Sequence, residues 1–258
     1  MSGVVTVEIA APHVALVTIR RPEARNAING QVAAALDAAV KQIEADPDIW
    51  AAVLTGEGGV AFCSGADLKE VSAGLLETLF TPDGAFAGFV KHPRDKVWIA
   101  AVEGFALAGG GEIALACDLL VASENSTFSL PEVTRGLIAA AGGAYRLVRA
   151  LPKAIAIEML VTGGRMDAAR ACHFGMVNRV VPQGEALAEA LALATAICAN
   201  APIAVRETMK VARRAFDLDD DALYALGLEG QQRVMQTADF AEGPRAFIDK
   251  RTPIWTGR

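Results

Sequence analysis

Apolar residues in this chain fall into short runs and stripes that predict its elements one by one. Residues 4–9 and 14–20 flank Ala11-Pro12-His13 and read as a strand pair, which Arg21-Pro22 ends. Asn29 precedes an apolar stripe of Val32, Leu36, Val40 and Ile43, the pattern of a capped helix, and Asp46-Pro47 stops it. Residues 50–54, 97–102 and 119–122 are continuous apolar runs, as expected of buried strands, with a shorter extended stretch at 127–130 and a last strand at 177–181. A strand end and a helix start crowd into residues 62–70. Residues 74–94 have weak periodicity, broken by Pro82, Gly84, Gly88 and Pro93, and predict a variable segment with one short helix. A glycine run opens a helix near 109–117. From Gly142 onward helices dominate: 143–150, 153–161, 167–174, 185–199, 202–215, 219–236 and 239–250.

The pattern is α/β to about residue 182 and helical afterwards. Its expected division is a core over 1–200 and a helical region over 201–258. Apolar helices with no sheet of their own must bury their faces against the core or against another subunit. No sequence repeat, low-complexity tract or Pro/Gly/Ser linker interrupts the chain.

Composition narrows the function. With 258 residues, 53% hydrophobic and 21% charged, the chain can bury a sizeable core. A net charge of -6, 6% aromatics and no basic run argue against a nucleic-acid partner or an anionic membrane surface. The longest apolar stretch, 98–122, carries Glu103, Glu112 and Asp118 and makes a poor membrane span. The first residues lack a basic region followed by an apolar one, so the cytoplasm is the expected location. Cys63, Cys117, Cys172 and Cys198 form no C-x-x-C and read as reduced core thiols. His13, His92 and His173 share no ligand spacing, so no metal is expected.

The candidate chemistry lies in Gly104-Phe-Ala-Leu-Ala-Gly109-Gly110-Gly111-Glu112 and in Ser129-Leu-Pro-Glu132. Glycines before a helix permit close backbone approach, and the helix N-terminus that follows offers free N–H groups to an oxygen that becomes negative. Taken alone, the same glycines also suit plain packing of a helix on a sheet. Glu112 falls on the first helical turn, where simple dipole complementation would also place it. Glu132 follows a proline and has a capping or surface reading. Two glutamates at strand-to-helix junctions among apolar residues suit general acid/base work. A second glycine turn, Phe62-Cys63-Ser64-Gly65-Ala66-Asp67, is placed to supply another backbone donor. Ser64 is outside a G-x-S-x-G elbow and has no histidine nearby, which argues against a serine hydrolase. Gly109-x-Gly111-x-x-Ala114 loosely matches a dinucleotide fingerprint, but the next strand starts too soon for the usual crossover.

As a set these stretches resemble the enoyl-CoA hydratase/isomerase, or crotonase-like, superfamily. The resemblance runs in order through residues 21–27, 61–69, 101–112, 117–118, 128–132, 142–147 and 242–251. It implies a spiral of repeated β-β-α units with a helical C-terminal region, assembled as a homotrimer or homohexamer. It also implies an acyl-CoA thioester substrate, coenzyme A being part of the substrate and no further cofactor needed. By motif, the oxyanion-hole donors map to Ala66 and Gly109 and the catalytic pair to Glu112 and Glu132. Glu112 is expected as base toward water and Glu132 as acid toward C2, or the two share both tasks. Both glutamates together favour hydration or dehydration over double-bond isomerisation. Candidates for CoA contacts are Arg25, Ser64, Asp67, Leu68, Lys69, Phe247 and Lys250. The acyl pocket is expected to use Phe86, Phe89 and Leu137. One departure stands out: where many hydratases carry Pro-Gly after Gly136, this chain reads Leu137-Ile138-Ala139-Ala140-Ala141, more similar to the carnitinyl-CoA dehydratase branch. Rival readings are an isomerase, a non-catalytic CoA-thioester or RNA-binding homologue, and a nicotinamide oxidoreductase.

Overall fold

The structure, a computed structural model, describes residues 3–258. β1 (Val5–Ala11) and β2 (Val14–Ile19) pair antiparallel. α1 (Gly30–Ala45) begins where the Asn29 side chain accepts from the Val32 N–H at 2.9 Å, which satisfies one of the free donors of the first turn. Three β-β-α turns follow. The first is β3 (Ala51–Gly56), β4 (Ala61–Cys63) and α2 (Leu68–Ser72). A two-stranded hairpin, β5 (Phe80–Thr81) and β6 (Ala85–Phe86), then leads to the second: β7 (Val97–Val102), β8 (Phe105–Leu107) and α3 (Gly109–Ala116). The third is β9 (Leu119–Ser123), β10 (Thr127–Ser129), a 3-10 turn at Glu132–Arg135, and α4 (Gly143–Ala150). α5 (Lys153–Thr162), β11 (Arg165–Asp167), α6 (Ala168–His173) and β12 (Arg179–Val181) lead to the helical tail. The tail is α7 (Ala186–Cys198), α8 (Pro202–Ala212), α9 (Asp220–Met235) and α10 (Ala238–Ile248).

Each β-β-α turn gives its first strand to one sheet and its second to another. The larger sheet has the order β1-β2-β3-β7-β9-β12 and is parallel from β2 onward; the smaller has the order β11-β10-β8-β4. β4, β8 and β10 run parallel, with Cys63 beside Ala106 and Leu107 beside Ser129. β3 and β7 are buried along their whole length, which is why they read as continuous apolar runs. Val53, Ile99 and Val121 face α7 through Ala190 and Ala194, while Leu54, Ala100 and Leu120 face the interior between the sheets. α8 is tied to the core by Arg213, which donates to both carboxylate oxygens of Asp118 at 2.8 Å. No single helix among the described residues is long and apolar enough to cross a membrane.

The one short helix expected in the 74–94 segment is a 3-10 helix (Leu76–Leu79), and the β5–β6 hairpin that follows it was not expected. Gly84 lies on the Gly88 backbone, and Ala85 and Ala87 have positive φ, which no right-handed helix accommodates. β8 and β11 went unseen as strands, because three residues are too few to show a period, while the strand end read at 62–63 is β4.

α3 sits against β4 at Gly110, where an added Cβ would lie 2.0 Å from the Cys63 carbonyl oxygen. That oxygen belongs to a buried backbone and cannot swing away. Gly110→Ala should therefore destabilise by about 3 kcal/mol or more. A thermal melt of the variant that coincides with wild type would contradict this close packing.

Candidate active site

Sequence reasoning marked positions that the small sheet collects at one end. β4, β8 and β10 lie side by side and end at Cys63, Leu107 and Ser129. Just beyond these ends come Ala66, then Gly109 and Glu112, then Glu132. The C-terminal ends of parallel strands thus bring all four together.

The two backbone turns touch. Gly65, at φ +96°, faces the Gly109 turn so closely that a Cβ would lie 3.0 Å from the Gly109 nitrogen. Ala108 caps α3 at φ 49°, an unusual conformation for a residue with a side chain, and its N–H donates to the Ser129 carbonyl at 2.9 Å. On the other side, Ile28 N–H donates to Gly65 O and Asp67 N–H to Ile28 O, each at 2.8 Å. Successive N–H groups of an extended run point to opposite sides. Ala66 N–H is therefore turned away from Ile28 and toward the Gly109 turn. At Gly109 the first-turn N–H has no partner within the helix. The Phe86 ring covers this point, 2.5 Å from where a Gly109 Cβ would stand.

Glu112 is buried at 4% exposure and accepts from the Gly143 N–H at 2.9 Å. Burial raises its pKa to about 7; backbone donors at Gly143 and Ala141 resist the rise, and the neighbouring Glu132 charge adds to it. Glu132 is half-buried, and neither of its carboxylate oxygens has a hydrogen-bond partner. Burial raises its pKa as well, against the pull of its own backbone N–H and of Arg135. A carboxylate without partners beside a second acid is a group held ready for something outside the protein. Arg146 was not singled out from sequence. It donates to the Ala141 and Val90 carbonyls at 3.0 and 2.6 Å and so fixes the turn that binds Glu112.

The other expected residues divide. Arg25, Ser64, Leu68 and Lys69 form one rim beside Ala66, with Ser64 N–H donating to Arg25 O at 3.1 Å and Leu68 and Lys69 exposed. The Asp67 carboxylate is engaged within the protein: one oxygen pairs with Arg21 at 2.9 Å and the other accepts from Lys69 N–H at 3.1 Å. It is therefore no free ligand for CoA. Phe89 is fully buried and packs edge-on against Trp98 at 5.2 Å with Arg94 over its ring, so it belongs to the core and not to an acyl pocket. Leu137 is exposed, and its N–H donates to Glu132 O, which places it beside the site. Phe247, 85% exposed, and Lys250 stand in the tail, where α10 packs on α9; within one chain they do not join the rim.

Because the folded pKa of Glu112 exceeds the ordinary value of 4.5, the folded state holds its proton more tightly than the unfolded chain. Stability from this group is complete at low pH and is lost as pH rises from about 4.5 through about 7. Glu112→Gln should raise the melting temperature at pH 8, by a gain on the order of 2 kcal/mol, and leave it near wild type at pH 5. A gain of equal size at both values would mean that the carboxyl is not held neutral.

Comparison with known proteins identifies the family. The family model described as enoyl-CoA hydratase/isomerase matches residues 10–258. A mevalonyl-coenzyme A hydratase of Aspergillus fumigatus is 39% identical over 96% of this chain and 93% of its own length. A carnitinyl-CoA dehydratase of Salmonella typhi is 38% identical over 94% of both chains. The crystal structure of an enoyl-CoA hydratase from Mycobacterium tuberculosis superposes with a TM-score of 0.95 at 41% identity, covering 100% of both chains. The spiral of β-β-α turns, the strand-end placement of the glutamates and a match over nearly the whole length together place the chain in the enoyl-CoA hydratase/isomerase family.

Proposed function

We propose that this protein is a hydro-lyase that adds water to a 2-enoyl-CoA thioester or removes it from a 3-hydroxyacyl-CoA thioester. The observation that carries the reading is the pair of Glu112, buried, and Glu132, half-buried, both with raised pKa, at the strand ends from which the Ala66 and Gly109 turns also leave. The thioester oxygen lies between those two N–H groups. As C3 accepts hydroxide from water, the electron pair of the C2=C3 bond moves toward that oxygen, and the N–H groups hold the enolate charge. The proton lost by water and the proton gained by C2 pass through the glutamates. With its pKa raised to about 7, Glu112 is divided between acid and carboxylate near neutral pH, so it is not a permanently ionised base. The two acids hold one proton between them and exchange it through the bound water.

The CoA end follows the rim of Arg25, Ser64, Leu68 and Lys69, where two cations meet the phosphates although the chain carries a net charge of -6. Phe86 and Leu137 border the acyl end. Phe247 and Lys250 reach a CoA moiety only from a neighbouring subunit. Such a subunit is also what the tail requires: Phe216, Tyr224, Leu228, Met235 and Phe240 are exposed, and a shallow groove of about 440 Å³ lies between α8 and α9, lined by Val211, Leu223 and Tyr224. Closed symmetry in a homotrimer or homohexamer buries these faces.

Glu112→Gln and Glu132→Gln should each lower turnover of a 2-enoyl-CoA by about 10²-fold or more. Near wild-type kcat in both variants, or faster conversion of a 3-enoyl-CoA than of a 2-enoyl-CoA, would instead support isomerisation or another thioester reaction. Sedimentation at low micromolar concentration should show three or six copies; an active species at the 26.9 kDa monomer mass would overturn the assembly.

A further inference from the structure

The Arg21–Asp67 pair lies next to the proposed oxyanion hole without facing the substrate. Arg21 stands at the end of β2, on the far side of the Ala66 turn from α3. Its Nη2 pairs with Asp67 at 2.9 Å, its Nη1 donates to the Ala27 carbonyl at 2.7 Å, and its own N–H is held by Asn26 Oδ1 at 3.0 Å. Asn26, fully buried at φ 55°, donates in turn to the Glu57 and Ala61 carbonyls at 2.9 and 2.7 Å. Both side chains of the ion pair are more than four-fifths buried, at 16% and 13% exposure. One guanidinium thus joins the 21–28 segment to the residue that follows Ala66.

We infer that Arg21 is a positioning residue, which through the Ala27–Ile28 peptide and Asp67 sets the direction of the Ala66 N–H toward the thioester oxygen. This rests on the reading of Ala66 and Gly109 as the two donors. The geometry behind it is that residues 64–67 are short of support of their own. Their holding bonds on the side away from α3 come from Arg25 O, from Ile28 and from Arg21, all in one segment. Gly65, at positive φ and without a side chain, gives the turn a free pivot one residue before the donor. Asp67 is the first side chain after that donor. It is also the N-cap of α2, since its other oxygen accepts from Lys69 N–H. The Ala66 N–H belongs to the Gly65–Ala66 peptide, whose carbonyl accepts from Ile28 N–H, and the Ile28 N–H lies in the same peptide as the Ala27 carbonyl gripped by Arg21. The fork of Arg21 holds the Ala27–Ile28 peptide through Ala27 O and the residue after Ala66 through the Asp67 carboxylate, a planar two-point grip that a lysine ammonium does not reproduce.

The test uses the full-length protein with a chromophoric 2-enoyl-CoA that carries an electron-donating aryl end. Its absorption moves to the red as the carbonyl oxygen accepts stronger hydrogen bonds. Wild type should show the red shift; its absence there would overturn the two-donor hole itself, and with it the ground for this inference. Given that shift, Arg21→Met should reduce it, lower kcat by about 10–100-fold and leave KM within about threefold, with the assembly and the far-ultraviolet spectrum unchanged. Arg21→Lys should fall between. Asp67→Asn keeps a cap for Lys69 N–H but loses the ion pair, and should reproduce Arg21→Met even where that variant folds poorly. A folded Arg21→Met or Asp67→Asn protein with a lower melting temperature but wild-type red shift and kcat would overturn the positioning role and leave the pair purely structural.

Discussion

The closeness of α3 to the turn leaving β4 governs the rest of the site. With Gly110 lying on the Cys63 carbonyl and Gly65 facing the Gly109 nitrogen, nothing larger than a backbone fits between the two turns. That contact sets two N–H directions at once and fixes where the first turn of α3 begins. It also fixes Glu112, three residues along the same helix, and so couples the position of the acid to the position of the donors. The parallel strands β4, β8 and β10 supply the spacing, since neighbouring strands lie about 4.8 Å apart and each ends in a turn. The distance between functional groups is thus a property of the sheet, and the turns only aim them.

Charge at this site is handled by dipoles and burial, with the arginine placed to fix the backbone. In the proposed mechanism the free N–H groups of α3 meet the developing oxyanion, while Gly143 N–H faces Glu112. Arg146 satisfies the Ala141 and Val90 carbonyls and makes no salt bridge to Glu112, so its guanidinium orders the turn without fully ionising the acid. A direct ion pair would pull the Glu112 pKa down and remove its ability to hold a proton near neutrality. The Arg21–Asp67 pair uses the opposite chemistry for the opposite purpose: there full ionisation on both sides gives a rigid grip, one residue away from a donor that itself carries no charge.

Much of this was legible in the sequence, and the missing parts share a cause. The long elements announced themselves: the Asn29 cap and its apolar stripe, the fully buried β3 and β7, and the tail helices all appear near their expected places. Glycines before Glu112 and the proline before Glu132 pointed to strand-to-helix junctions, and those junctions exist. The smaller sheet was only half legible: 62–63 and 127–130 read as extended, but β8 and β11 did not, because three residues show no period and their partners are distant in sequence. The repetition of β-β-α turns was implied by the family resemblance and not by the residue pattern, because its likeness lies in backbone path and not in residue types. Phe89 misled for a related reason. An aromatic residue in an irregular segment has no periodicity to show which way it points, and here it points into the core against Trp98. The dinucleotide pattern failed on topology: the strand before the glycines, β8, lies in the small sheet, while the strand after the helix, β9, lies in the large one, so no single-sheet crossover exists.

The same division between sheet and loops bears on substrate choice. Relatives of nearly equal identity bear names with different acyl groups, mevalonyl in one and carnitinyl in another, over almost the same length of chain. Overall similarity therefore does not select the acyl group. In this chain the parts that border the acyl end are the ones that the sheets do not dictate. The 80–90 segment reaches Gly109 through two alanines at positive φ, which bring Phe86 over the donor turn. Residues 137–141 run between Gly136 at φ +68° and Gly142 at φ +112°, with Leu137 and Ile138 facing outward. Neither segment carries one of the two glutamates, but both touch their surroundings: Leu137 N–H donates to Glu132 O, and the Phe86 ring lies over Gly109. On the proposed function, the strand ends meet the thioester and the water, and these two loops are the parts of the chain that border what is attached beyond C3.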